Sequence, residues 1–243
     1  MEDEICLTKN QLRSILNQAQ LLSEGSEGKC FLFKKDTVFK YFNLCEYPEF
    51  LDEYTSTYNK KMILQFKDLS IPHFIFGKKI VYVDGIIVGY IMPLALGQEL
   101  SKVNLLKEPY SKILGATKEG IDDIKILSSK HIITEDLYET NISYDSKNFY
   151  FFDTLWYSFS DIDSSSIFKH NMESFSNSLY RKIVLSEIRK FVLSNKNLKD
   201  YSNDPQLLYN PILFLNMLKE ELNSYCGKNI RCFETANKML KKR

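Results

Sequence analysis

Three residues in the middle of the chain have types and spacing suited to chemistry. Asp136 and Asn141 lie in EDLYETN, and Asp153 ends the apolar run FYFFD. A carboxylate can orient an attacking hydroxyl, while an Asn amide oxygen and a second carboxylate supply the hard oxygen ligands that magnesium takes when it also holds phosphates. Far upstream, Lys40 stands in VFKYF with apolar residues on both sides, where an ammonium could pair with phosphate oxygens. Before it comes GSEGKCF, whose Gly25 and Gly28 would let backbone N–H groups come close to phosphates.

Each signal has a plain structural reading. A lysine alternating with apolar neighbours ordinarily faces solvent, and two glycines between strands ordinarily mark a hairpin turn. An Asp and an Asn at this separation arise readily by chance in a chain rich in both. The order is what carries weight: Gly-containing turn, strand lysine, Asp136, Asn141, then an aspartate closing a β-rich run.

The elements that must position these residues follow from periodicity. Residues 8–20 read as a helix with Thr8 as cap and Leu12, Ile15 and Leu16 on one face. Residues 21–42 read as a meander of three short antiparallel strands with a polar turn at 34–37. A helical pattern returns over 49–69, where Tyr54, Tyr58, Met62 and Phe66 fall at steps of four. IPHFIF and KKIVYVDGIIVGYIMPL read as strands, the latter folded at Asp84-Gly85. After Pro93 the patterns are mainly helical. Ile113, Ala116, Thr117, Ile121, Ile124 and Leu127 trace a helix ending near Lys130, then ISYD and NFYFFD form a hairpin around DSKN. Helical patterns at 172–194 and 211–224 close the chain. The change from strands to helices near Pro93 predicts an α+β protein of two lobes with a ligand cleft between them.

Composition sets the remaining bounds. The 243 residues are 44% hydrophobic and 26% charged, ordinary globular usage. With 32 basic against 31 acidic residues, the net charge of +1 gives no general pull toward nucleic acid or anionic lipid. No stretch approaches the roughly 20 apolar residues of a membrane span, and the acidic N-terminus lacks a signal peptide's apolar run, so a cytoplasmic protein is expected. Five cysteines without C-x-x-C spacing and three scattered histidines argue against a zinc site or disulfide framework.

From Leu21 through Asn141 and Asp153 into the C-terminal helices, the chain resembles the protein kinase-like superfamily, in the manner of a small bacterial member. The resemblance implies a two-lobed fold, with an N-lobe of antiparallel sheet and one main helix over residues 1–92 and a mainly helical C-lobe over 93–243. It implies ATP and magnesium as cofactors. Gly25 and Gly28 would cover the phosphates, Lys40 would hold them, and the backbone near Met92, Pro93 and Leu94 would contact adenine, with Met92 as gatekeeper. Asp136 would be the catalytic base and Asn141 and Asp153 the metal ligands. The phosphoryl acceptor could be a protein or a small molecule.

The chain also departs from the family pattern. No acid occupies the helix position near Asn59–Met62 that normally pairs with the strand lysine, and Glu53 falls about two turns early. Thr134 and Glu135 stand in place of the His and Arg before the catalytic Asp. Tyr138 replaces a phosphate-touching lysine, and Thr154-Leu155 follows Asp153 in place of Phe-Gly. The missing helix acid, Glu135 and Tyr138 support an alternative, a pseudokinase that binds nucleotide or acts as a scaffold. Trp156, Tyr157 and Phe159 could line an acceptor or partner surface, but in a chain with 14% aromatic residues ordinary packing is the favoured reading.

Overall fold

Strand β4 (Thr37–Phe42) is buried over Val38–Phe42, which makes it a central strand and sets the plan of the sheet around it. The computed structural model describes residues 3–43, 58–199 and 209–242. The fold is α+β, with a mixed six-stranded sheet in the order β1-β5-β6-β4-β3-β2. Its other strands are β1 (Glu4–Leu7), β2 (Leu21–Glu24), β3 (Gly28–Lys34), β5 (Lys79–Val83) and β6 (Ile86–Pro93). All neighbours pair antiparallel except β1 and β5, which are parallel.

Alternation along β4 divides the sheet's two faces. Phe39 and Tyr41 join Phe31, Val81, Val83, Val88 and Ile91 in one apolar cluster, and Leu12, Ile15 and Leu16 of helix α1 (Lys9–Gln18) pack against it. Thr8 and Gln11 form a capping box at the start of α1. On the other face Phe42 stacks on Tyr58 with ring centroids 4.3 Å apart, and lies 5.8 Å from the Tyr90 ring. Lys40 belongs to this second face. At the β5–β6 turn, Asp84 and Gly85 both have positive φ (51° and 82°), the two left-handed residues that a tight type I′ hairpin requires.

Contacts divide the chain into two units. The first takes residues up to 70, 75–95 and 153–156; the second takes 71–74, 96–152 and everything from 157 on. In the second unit, helix α3 (Tyr110–Ser129) packs on helix α4 (Ser164–Ile183) and on the hairpin of β9 (Ile142–Tyr144) and β10 (Phe149–Phe151). Asp145 accepts from the Lys147 and Asn148 N–H groups, so DSKN closes on its own first residue. Phe149 and Phe151 meet Phe175 edge-on at 5.7 and 5.4 Å, which locks the hairpin to α4. Short pairs complete this unit: β7 (Gln98–Glu99) joins β9, and β8 (Ile132–Ile133) joins β11 (Ser158–Phe159).

Several sequence expectations change. IPHFIF is not a sheet strand: it makes one isolated bridge, Phe74 to Phe151, and is held by the Phe74–Phe151 ring stack and by His73. His73 Nδ1 lies 2.6 Å from Asp123 Oδ2 on α3, and its backbone N–H reaches the same oxygen at 3.2 Å. Burial holds the Asp123 carboxyl above its usual range, against the pull of His73. The pattern at 172–194 is two helices, α4 and α5 (Ser186–Ser194), broken at Val184-Leu185 where Ser186 takes a left-handed φ of 52°. The Ser164–Ser166 run is the first turn of α4, capped by Asp163. Of the helix expected over 49–69, α2 (Lys60–Leu64) is what the described residues contain, and Tyr54 lies outside them. Two closing helices, α6 (Pro211–Cys226) and α7 (Phe233–Leu240), end the chain.

Gly28 begins β3 where a Cβ would lie 2.3 Å from Tyr41 O, whereas one on Gly25 would meet nothing within 4 Å. Gly28→Ala is therefore expected to destabilise the protein by about 1–3 kcal/mol, and Gly25→Ala by less than about 0.5 kcal/mol, as read from thermal melts. Equal melting temperatures for the two variants would contradict this packing.

Candidate functional site

Lys40 sits in a strand buried on both faces and is itself 5% exposed, so the ordinary solvent-facing reading does not apply. A buried ammonium without a partner would be costly. Lys40 Nζ is 2.5 Å from Asp153 Oδ1 and 3.2 Å from Glu27 Oε2. Burial opposes its charge, and the Tyr90 oxygen, Asp153 and Glu27 outweigh that effect, so its pKa lies above the ordinary lysine value. Burial pushes the Tyr58 phenol up to about 12, and the nearby Glu27 carboxylate adds to the shift.

Asp153 reaches Lys40 from 113 residues away through a left-handed backbone, φ 61°. The following 3-10 turn, Thr154–Trp156, belongs to the sheet unit, where Thr154 Oγ1 donates to Ile75 O at 3.0 Å. Trp156 Nε1 donates to Glu27 Oε1 at 2.8 Å. Glu27 thus bridges the lysine and the indole. Its loop is held from behind by Asn43, whose Nδ2 donates to Gly25 O (2.8 Å) and Ser26 O (3.2 Å), while the Asn43 N–H donates to Glu27 O.

Met92 and Pro93 end β6, paired with Val38 and Thr37. Pro93 has no N–H, and the Leu94 N–H is donated to Asp36 O at 2.9 Å. Neither residue therefore has a free backbone donor.

In the second unit, Asp136 and Asn141 lie together. Asn141 Nδ2 donates to Asp136 O at 3.1 Å, which leaves Oδ1 as the free acceptor of that amide. The Phe152 N–H donates to Asn141 O at 3.0 Å, tying this segment to the end of the β9–β10 hairpin. Helix α4 holds the segment from its other side. The fully buried Asn171 accepts from the Thr134 N–H (2.9 Å) and Oγ1 (3.0 Å) and donates to Ser128 Oγ and Ile132 O, both at 3.0 Å. Ser178 Oγ donates to Leu137 O at 2.6 Å, and His170 Nε2 lies 3.0 Å from Thr134 O. Tyr138, His170, Glu173, Asn177 and Arg181 line a polar hollow of about 350 Å³ beside this segment.

The structure thus joins Lys40 to Asp153 in the first unit and Asp136 to Asn141 in the second. Among the described residues no three His, Cys, Asp or Glu side chains cluster to hold a metal. Glu53 lies outside the described residues. Of the candidate surface aromatics, Trp156 and Phe159 are exposed, but Tyr157 is buried and packs edge-on against Phe74 at 6.1 Å. Sequence reasoning missed Glu27 and Asn171. A polar residue on the apolar face of a helix beside Met172 and Phe175 was the available signal for Asn171. No family model matches the chain, and no curated protein matches its sequence.

Asn171→Ala would leave the buried Thr134 N–H and Ile132 O without partners. A stability loss of at least about 1–3 kcal/mol is expected, with faster hydrogen exchange at the Thr134 amide. Unchanged exchange there would show that Asn171 does not hold the segment.

Proposed function

We propose that the chain is an ATP-dependent phosphotransferase of the protein kinase-like kind, which transfers the γ-phosphoryl group of ATP to a hydroxyl acceptor. The observation that carries this reading is Lys40, a lysine buried on a central strand and paired with Asp153 from far along the chain. A purely structural role accounts for a buried ammonium less well than a phosphate-binding role does, since replacing a buried ion pair by apolar residues of similar volume is often neutral or stabilising.

In this reading Lys40 holds the phosphates and Asp136 accepts the acceptor's proton. The acceptor oxygen forms its bond to phosphorus as the β–γ bridging bond breaks and ADP leaves. Asn141 and Asp153 would hold magnesium, which neutralises charge on the phosphates. The polar lining beside the Asp136 segment, with Glu173, Asn177 and Arg181, favours a polar acceptor over an apolar one.

A pseudokinase that binds nucleotide without turnover is the second reading. Glu135 and Tyr138, both exposed beside Asp136, favour it, because neither supplies the positive charge that steadies a transferring phosphate.

Asp136→Asn is expected to lower phosphotransfer at least about 100-fold while magnesium-ATP affinity stays within a few fold. Asp153→Asn should weaken magnesium-dependent binding and turnover together. ATP consumption and nucleotide affinity, measured on variants with unchanged melting temperatures, check both. Equal turnover in wild type and Asp136→Asn removes Asp136 from the base role. Undetectable wild-type turnover with intact ATP binding selects the pseudokinase.

A further inference from the structure

We propose that Glu27 is a built-in latch on the phosphate site: its carboxylate occupies the position on Lys40 that a nucleotide phosphate must take. The proposal rests on the reading of Lys40 as a phosphate-binding residue and adds the regulation of that site.

Three observations carry it. First, both carboxylate oxygens of Glu27 are engaged, Oε2 by Lys40 Nζ at 3.2 Å and Oε1 by Trp156 Nε1 at 2.8 Å. The acid therefore spans from the strand lysine to the turn that follows Asp153. Second, Lys40 already has Asp153 at 2.5 Å, which by itself balances its charge. A second anion on the same ammonium is more than charge balance requires, and it takes up a donor that a phosphate oxygen would use. Third, the latch can open without moving its loop. Asn43 fixes the backbone of the loop through Gly25 O, Ser26 O and Glu27 O, so release needs only rotation of the Glu27 side chain toward solvent. Glu27 is half-buried, which leaves it room to turn.

The chemistry gives a direction. While the latch is closed, an incoming phosphate meets a like charge and must displace a charge-assisted hydrogen bond. A phosphate group carries more charge and more acceptor oxygens than one carboxylate, so ATP can win, but at reduced affinity. Opening the latch also releases the indole of Trp156, the single tryptophan of the chain, and its emission reports the state directly.

The test compares wild type with Glu27→Gln, Glu27→Ala and Glu24→Gln. Glu24 lies on the same hairpin but points its charge at Lys29, at 3.6 Å, so it controls for a general change of charge. Magnesium-ATP is titrated into each and followed by Trp156 emission and by calorimetry, with melts to confirm folding. Both Glu27 variants are expected to bind about tenfold more tightly than wild type, with Glu24→Gln within about twofold. Emission of the nucleotide-free Glu27 variants should resemble that of ATP-bound wild type. Affinity in the Glu27 variants equal to or weaker than wild type overturns the latch, as does an equal gain in Glu24→Gln. If no variant binds ATP, the nucleotide reading fails, and inorganic tripolyphosphate then decides the latch by itself. An emission change in wild type that is absent in Lys40→Ala supports it, and no change in wild type overturns it.

Discussion

Burying the ammonium of Lys40 is the constraint from which much of the first unit follows. β4 lies between β3 and β6, so a lysine in its middle cannot reach water along the strand and must find anions on its own face of the sheet. Two arrive. Glu27 comes from the neighbouring hairpin, and Asp153 comes from a segment that is remote in sequence and enters on a left-handed backbone. A non-glycine residue held at positive φ is an unusual conformation, tolerated best by Asp and Asn, and such residues gather at functional sites. Because Asp153 must meet Lys40, the turn after it joins the sheet unit, and Thr154 secures it through Ile75 O.

A different device works in the second unit. The segment carrying Asp136 has little regular structure, and loops of that kind need outside partners for their backbone groups. Helix α4 provides them. Asn171 satisfies both sides of the Ile132–Thr134 stretch, Ser178 takes the Leu137 carbonyl, and the apolar face of the same helix packs on the β9–β10 hairpin through Phe175. One helix thereby fixes both the loop of Asp136 and the hairpin that leads into Asp153. A rigid frame under a loop of polar residues is how a fold presents chemistry without letting it drift.

The sequence made much of this legible, and physical reasons separate what could be read from what could not. The hairpin at Asp84-Gly85, the helix cap at Thr8 and the DSKN turn are set by local backbone chemistry and appear where their residues predict them. Segment IPHFIF has the composition of a strand, but its contacts are with distant partners, Asp123 and Phe151, and those override β-propensity. The short strand Glu4–Leu7 was equally invisible, because its pairing with β5 is long-range and parallel. At the site, residue types and order pointed to Lys40 and Asp153. No spacing rule could point to Glu27, since its role depends on the hairpin folding back on β4 and on the turn at Trp156 arriving beside it. Tyr157 is buried against Phe74, as the ordinary packing favoured by the aromatic-rich composition predicts, while Trp156 and Phe159 stay exposed.

The central claim is that the buried Lys40–Asp153 pair exists to receive a nucleotide with its metal. Calorimetric titration of the wild-type protein with ATP, carried out with magnesium and again with magnesium chelated, tests it most directly. The account predicts one saturable site whose affinity falls sharply when the metal is removed, and loss of that site in Lys40→Ala. Absence of any binding heat at millimolar ATP with magnesium present, in a protein whose melts show it folded, would contradict it.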